Sequence, residues 1–148
     1  MVYGATVETL METAKTRDRA KAEELLYTWS RAYPDAFAWI GHQQQQALRD
    51  GYVTTLYGRR IPLPVGQEKP DKLKRKAVNY PVQASAAEVV KRAMIKVAES
   101  GLLEPMRLQV HDELLFDGAV VEQIDKLDLA HISVFETPYE IKTVERWE

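Results

Sequence analysis

The chain has no cysteine in 148 residues, which removes disulfides and thiolate-bound zinc and suits a reducing compartment. Histidine is nearly as scarce, and His42, His111 and His131 are too scattered for a zinc signature. A metal here should be a hard, oxygen-ligated cation, with Mg²⁺ first. No apolar run approaches the ~18 to 20 residues needed to span a bilayer, and the N-terminus lacks a signal-peptide core. There is no internal repeat, and the glutamines Gln43 to Gln46 are too few for a low-complexity tract, so they read as a solvent-facing helix. What remains is 45% hydrophobic and 28% charged. That is ordinary for one globular domain, long enough to bury roughly two thirds of its unfolded surface.

Net charge is only −2, but its distribution is uneven. Residues 59–76 carry Arg59, Arg60, Lys69, Lys72, Lys74, Arg75 and Lys76 against Glu68 and Asp71, a local +5. Residues 101–148 hold four basic and eleven acidic side chains, a local −7. A cationic stretch beside an acidic, metal-capable segment suits a site that handles a polyanion. The same pattern also fits a solvated loop beside an acidic tail.

Periodicity sets out the elements. Ala22, Leu25, Leu26 and Trp29 form one apolar face of a helix over about 18–32, which ends before Tyr33-Pro34. Pro34 opens the next helix, with Phe37, Ile40, Ala47 and Leu48 inward and Gly51 as its stop. Tyr52 to Leu56, the turn Tyr57-Gly58 and then Arg59-Arg60-Ile61 predict a hairpin. Residues 62–74, with three prolines, read as a loop. Ser85-Ala86-Ala87-Glu88 has capping-box spacing, so a helix is expected over 85–100. Its buried stripe would be Ala86, Val89, Val90, Ala93, Met94, Val97 and Ala98, with Gly101 at its end. A short helix over 120–129 and β-prone stretches at 132–135 and 139–144 follow. Trp29, Tyr33, Trp39 and His131 are assigned to packing. The order predicts an α+β fold, a small antiparallel sheet with covering helices.

The most informative run is Arg107 to Asp117. It sets the triplet His111-Asp112-Glu113 between two short apolar stretches, which places the triplet at or near a tight hairpin. A carboxylate held at a strand end is well placed to coordinate a divalent cation, and Asp112 is the first candidate. Glu113 ranks below it, because adjacent strand residues point to opposite faces. Metal phosphohydrolases also use a His-Asp pair, but on helices with more histidines than this chain holds.

Three stretches, taken in order, resemble the C-terminal part of a family A (DNA polymerase I-like) DNA polymerase. They are residues 51–60 (Gly-Tyr-Val-Thr-Thr-Leu-Tyr-Gly-Arg-Arg), residues 75–94 from Arg75 to Met94, and Gln109-Val110-His111-Asp112-Glu113-Leu114. Tyr3-Gly4, Tyr33-Pro34 and Trp147 fit the same pattern. The resemblance implies a helical distal fingers segment over 1–50. It implies a partial palm over 51–148 with a basic loop (59–76), a helix (85–100), the catalytic hairpin (107–117) and a C-terminal α/β segment, all in one compact unit. The family's other palm aspartate and its nucleotide-binding Arg, Lys and aromatic residue would precede Met1.

The implied activity is deoxynucleotidyl transfer to a primer 3′-hydroxyl with two Mg²⁺ ions, in DNA replication or repair. By resemblance Asp112 is one of two carboxylates bridging those ions, and Glu113 is its acidic neighbour. Arg75, Asn79, Gln83 and His111 match positions that contact primer–template DNA, where amides and imidazoles can meet minor-groove acceptors. Arg59 and Arg60 would contact backbone phosphates, and Tyr3 the nascent pair with the dNTP. Where the family has Gly-Thr after the glutamine, this chain has Ala84-Ser85.

A site with only part of its metal ligands should not polymerise alone. The partner implied is the missing N-terminal part of the polymerase, as covalent neighbour or as separate subunit. Edge strands left uncovered would favour self-association in isolation. The resemblance implies a cytoplasmic protein of bacterial or phage type with no membrane partner. Two alternatives are a non-catalytic DNA-binding or assembly module with a palm fold and, further off, a relative of the single-subunit RNA polymerases.

Overall fold

A computed structural model of the chain describes residues 7–145, in two units that meet between Ala84 and Ser85. Tyr3 and Trp147, singled out from the sequence, lie outside the described residues. The fold is α+β as expected, with two two-stranded antiparallel sheets among the described residues.

In the first unit, α1 (Val7–Thr13) is followed by α2 (Arg19–Ala32). Asp18 starts α2 by accepting the backbone N–H of Lys21 at 3.1 Å, which satisfies one of the donors a helix start leaves open. The helix ends at Tyr33, and α3 (Pro34–Asp50) begins on Pro34, which has no N–H to lose there. Gly51 closes α3 in the left-handed region (φ 74°), which a glycine enters without a Cβ clash. The carbonyl of Gly51 also accepts from Leu63 N at 2.8 Å, tying the helix end to the hairpin of β1 (Tyr52–Thr54) and β2 (Arg60–Pro62). Ala47, Val53, Leu63, Leu73 and Ala77 make the core, with Ile61 and Tyr80 against it. Leu25, Phe37 and Leu48, expected inward, are 40–47% exposed. Trp29 instead stacks with Tyr33 and Phe37, each at 6.1 Å between ring centres.

The expected loop holds over 63–69, but its last part (70–74) and the helix start at Ser85 are corrected by α4, one helix from Pro70 to Glu99 that contains Pro81. An interior proline costs about 3 kcal/mol through its lost hydrogen bond and ring clash. Leu73 and Val78, exposed by 3% or less, return about 1.5–3 kcal/mol each by burial. Packing therefore overrides the breaker. The lysines between the inward residues hid that stripe from a composition reading. Ser85 and Glu88 lie inside α4, so their capping-box spacing marks no helix start.

In the second unit, α4 ends on Gly101 (φ 84°). Leu102 N donates to Val97 O and Gly101 N to Ala98 O, both at 3.1 Å, the paired bonds of a left-handed helix stop. Of the expected stripe Ala93 and Val97 are buried, whereas Ala86 is exposed. The hairpin of β3 (Met106–Val110) and β4 (Glu113–Phe116) follows. Leu114 and Phe116 pack on a core of Ala93, Ile124 and Leu129. The helix expected over 120–129 shortens to α5 (Val121–Asp125), because Asp128 takes a left-handed conformation (φ 48°) before a single 3₁₀ turn at Leu129–His131. Residues 132–135 and 139–144 form no strand among the described residues: they have β-forming composition but no ladder partner. His131 does not pack. Its side chain is 64% exposed and its Nδ1 lies 2.6 Å from Asp128 Oδ1, while Lys96 Nζ donates to the Asp128 carbonyl at 2.9 Å.

Two predictions follow from this packing. Leu73→Ala should cost about 2–5 kcal/mol and speed amide exchange across 73–80, whereas Val82→Ala, half-exposed in the same helix, should change little. Exchange unaltered by Leu73→Ala would restore the loop reading. The hydrogen bond to Asp128 raises the His131 pKa and lowers that of Asp128. The imidazole's contribution is then fully present below about pH 6.5 and fades as pH rises through its raised value. The carboxylate's is present above about pH 3.9 and fades as pH falls through its lowered value. His131→Ala should therefore lower the melting temperature more at about pH 5.5 than at about pH 9.

Candidate active site

The ladder of β3 and β4 ends at the pair Val110↔Glu113, so His111 and Asp112 alone make the connection. The pairing shifts by one residue between Met106 and Leu108, a bulge at Arg107. Arg107 lies 3.6 Å from Glu104 and 3.6 Å from Asp117, bracing the base of the hairpin. Because strand side chains alternate, the inward pair Leu114 and Phe116 sends Glu113 and Leu115 to the other face. His111, Asp112 and Glu113 are all exposed.

His111 has φ 53°, in the left-handed region. A residue with a Cβ enters it at a cost of about 1–2 kcal/mol, though histidine, asparagine and aspartate tolerate it better than most. Gln109 Nε2 donates to the carbonyl of His111 at 2.6 Å. Gln109 drew no role from the sequence. No sequence signal pointed to it, because His111 lies beyond the end of β3 and the bond is to its backbone carbonyl.

The donors on this turn are two adjacent carboxylates, hard oxygens of the kind Mg²⁺ takes. Among the described residues no three His, Cys, Asp or Glu side chains gather as a metal set. Asp112 and Glu113 have the donor chemistry such an ion takes, but two adjacent carboxylates are too few to complete its shell.

The first unit carries the remaining candidates. Arg75, expected in the basic loop, lies with Asn79 and Gln83 on α4 at four-residue spacing, so the three share one face. Arg75 and Gln83 are exposed, while Asn79 is half-buried and its Oδ1 has no hydrogen-bond partner. Glu68 gathers two of the nearby cations, Lys76 at 2.7 Å and Lys72 at 3.0 Å. The hydrogen bond from Lys76 holds the Glu68 carboxyl below its usual range, and the Lys76 ammonium is raised in turn. Arg60 stacks its guanidinium 4.7 Å over the Tyr52 ring. Arg59 is exposed, and its backbone N–H donates to the buried Thr55 hydroxyl at 3.1 Å.

Residues 1–138 match the family described as DNA polymerase family A. The DNA polymerase I of Pseudomonas aeruginosa is 34% identical over 134 residues, 84% of this chain and 15% of that protein. That of Treponema pallidum is 30% identical over 154 residues, 95% of this chain and 15% of its own length. The POL domain of Pol1 from M. smegmatis, solved in complex with DNA primer-template and dNTP, superposes with a TM-score of 0.78 at 26% identity. That match covers 94% of this chain and 27% of the other. The chain belongs to DNA polymerase family A. It spans about 15% of the length of these curated relatives.

Proposed function

We propose that this chain supplies distal fingers (1–50) and part of the palm (51–148) to a template-directed DNA polymerase, and that Asp112 is its catalytic carboxylate. The observation that carries this reading is the exposed two-residue turn His111-Asp112, held at the end of a core-packed hairpin, in a chain of this family. The reaction joins a primer 3′-hydroxyl to the α-phosphate of an incoming dNTP and releases pyrophosphate.

Asp112 offers its oxygens to a divalent cation together with a carboxylate supplied from outside this chain, and Glu113 adds negative field beside it. Asp112 would help hold Mg²⁺ there, and such an ion, when bound, would supply charge stabilisation for an in-line displacement at phosphorus. Arg75, Asn79 and Gln83 present one helix face to the primer–template, with amides that meet acceptors every base pair offers in the minor groove. His111 does the same from the turn. Arg59 and Arg60 hold backbone phosphates, and Tyr3 lies beside the nascent pair. The remainder of the core comes from a covalent neighbour or a separate subunit, and the chain without it is inactive.

The test is primer extension with Mg²⁺ by this chain joined to, or mixed with, the upstream fingers and palm segment. Extension should require that segment. Asp112→Asn should lower the rate by about 10³-fold, the several kcal/mol of lost charge stabilisation at the reacting phosphate, while primer–template affinity stays within a few-fold. Extension that survives Asp112→Asn would remove Asp112 from the chemistry. DNA binding without extension under any pairing would assign the chain to an assembly module instead. Arg75→Ala should weaken binding alike across sequences and reduce the salt slope by about one.

A further inference from the structure

We infer that Gln109 is a positioning residue for Asp112, acting through the peptide between His111 and Asp112. This rests on the role proposed for Asp112 and goes beyond it by naming what aims that carboxylate.

The last ladder pair is Val110↔Glu113, so the His111–Asp112 peptide lies beyond the strands and has no ladder partner for its carbonyl. Its orientation is also strained, because His111 is held at φ 53° despite its Cβ. A peptide in that state can relieve strain by rotating. Rotation would carry the Asp112 N and Cα with it and re-aim the carboxylate. The hydrogen bond from Gln109 Nε2 to the His111 carbonyl, 2.6 Å long, opposes that rotation.

The Gln109 backbone is held by the ladder, while its side chain is exposed. It pairs across the ladder with Leu114, which is packed in the second unit's core. Its side chain borders a cleft of about 80 Å³ with Met94, Met106, Arg107 and Leu108. The chain of contacts therefore runs from core to Leu114, to Gln109, to the His111 carbonyl, to Asp112. Outer partners that orient a metal-binding carboxylate typically change metal affinity or activity by about 10–100-fold when lost.

The test uses Gln109→Met, which keeps shape and removes the donor, and Gln109→Lys, which restores an N–H donor of similar reach. In the full chain, His111 should show the strong intraresidue amide-to-Hα cross-peak of a positive φ. Gln109→Met should lose it while the circular dichroism and melting temperature stay unchanged, and Gln109→Lys should recover it. In primer extension with the upstream segment, Gln109→Met should lower kcat about tenfold and raise the Mg²⁺ concentration for half-activity several-fold. The KM for dNTP and the affinity for primer–template should stay within about twofold, and Gln109→Lys should regain at least half the rate. An unchanged cross-peak and rate in Gln109→Met would overturn the inference, and so would a loss confined to DNA affinity. Asp112→Asn, run alongside, separates the two readings. If it abolishes extension while Gln109→Met does nothing, only the positioning role fails; if it leaves extension intact, the reading of Asp112 fails first.

Discussion

Leu114 and Phe116 lie against Ala93, Ile124 and Leu129, and that apolar contact determines where the acidic turn emerges. Alternation along β4 leaves no choice once these two face inward: Glu113 and Leu115 must face the other way, and the connecting residues must project past the ladder. A slip of one residue would exchange the faces and put the Glu113 carboxylate against the core. Burying an unpaired carboxylate costs far more than any one side-chain contact in this hairpin returns. The core therefore fixes register, and register presents Asp112 to solvent at the end of a stiff support.

Helix α4 obeys the same rule with a different period. Leu73, Ala77 and Pro81 are buried and four residues apart. Arg75, Asn79 and Gln83 form a second row with the same spacing, displaced by two residues. Two residues turn an α-helix by about 200°, so the second row lies nearly opposite the first. The polar row faces away because the apolar row faces in. Pro81 is tolerated as part of the inward row, where its ring adds buried surface and its missing N–H sits inside a helix already held by Leu73 and Val78.

Elements whose signals are local were legible in the sequence. The Tyr33-Pro34 boundary, the Gly51 and Gly101 stops and the hairpin around His111-Asp112 each depend on a few adjacent residues, and each appears where those residues placed it. Elements that depend on distant partners were not. The first half of α4 looks like a loop until Ala47, Val53 and Leu63 supply the surface that Leu73 and Ala77 bury. The stretches at 132–135 and 139–144 have strand composition but no neighbour to pair with. In the candidate site, residue type pointed to Asp112 and Glu113, whereas the hold of Gln109 on the His111 carbonyl needed coordinates, since a side-chain bond to a backbone atom leaves no mark in composition.

The charge count over 59–76 also changes meaning once the side chains are located. A formal +5 suggests seven equivalent phosphate contacts less two acids, but a cation adds salt-dependent affinity only to the extent that binding a phosphate releases its counterions. Lys76 is four-fifths covered, bonded to Glu68 and set 5.8 Å from the Tyr80 ring centre, so it is committed to the fold. Lys72 shares Glu68 but is 56% exposed, so it is the partner a phosphate can draw away. Arg60 lies over Tyr52, which orients its planar guanidinium while leaving the donors on its rim to serve an anion. Arg75 is exposed and shares its row with Asn79 and Gln83. Under the proposed function, a phosphate contact there would place the two amides by register along the duplex, so the same residue would serve both affinity and alignment.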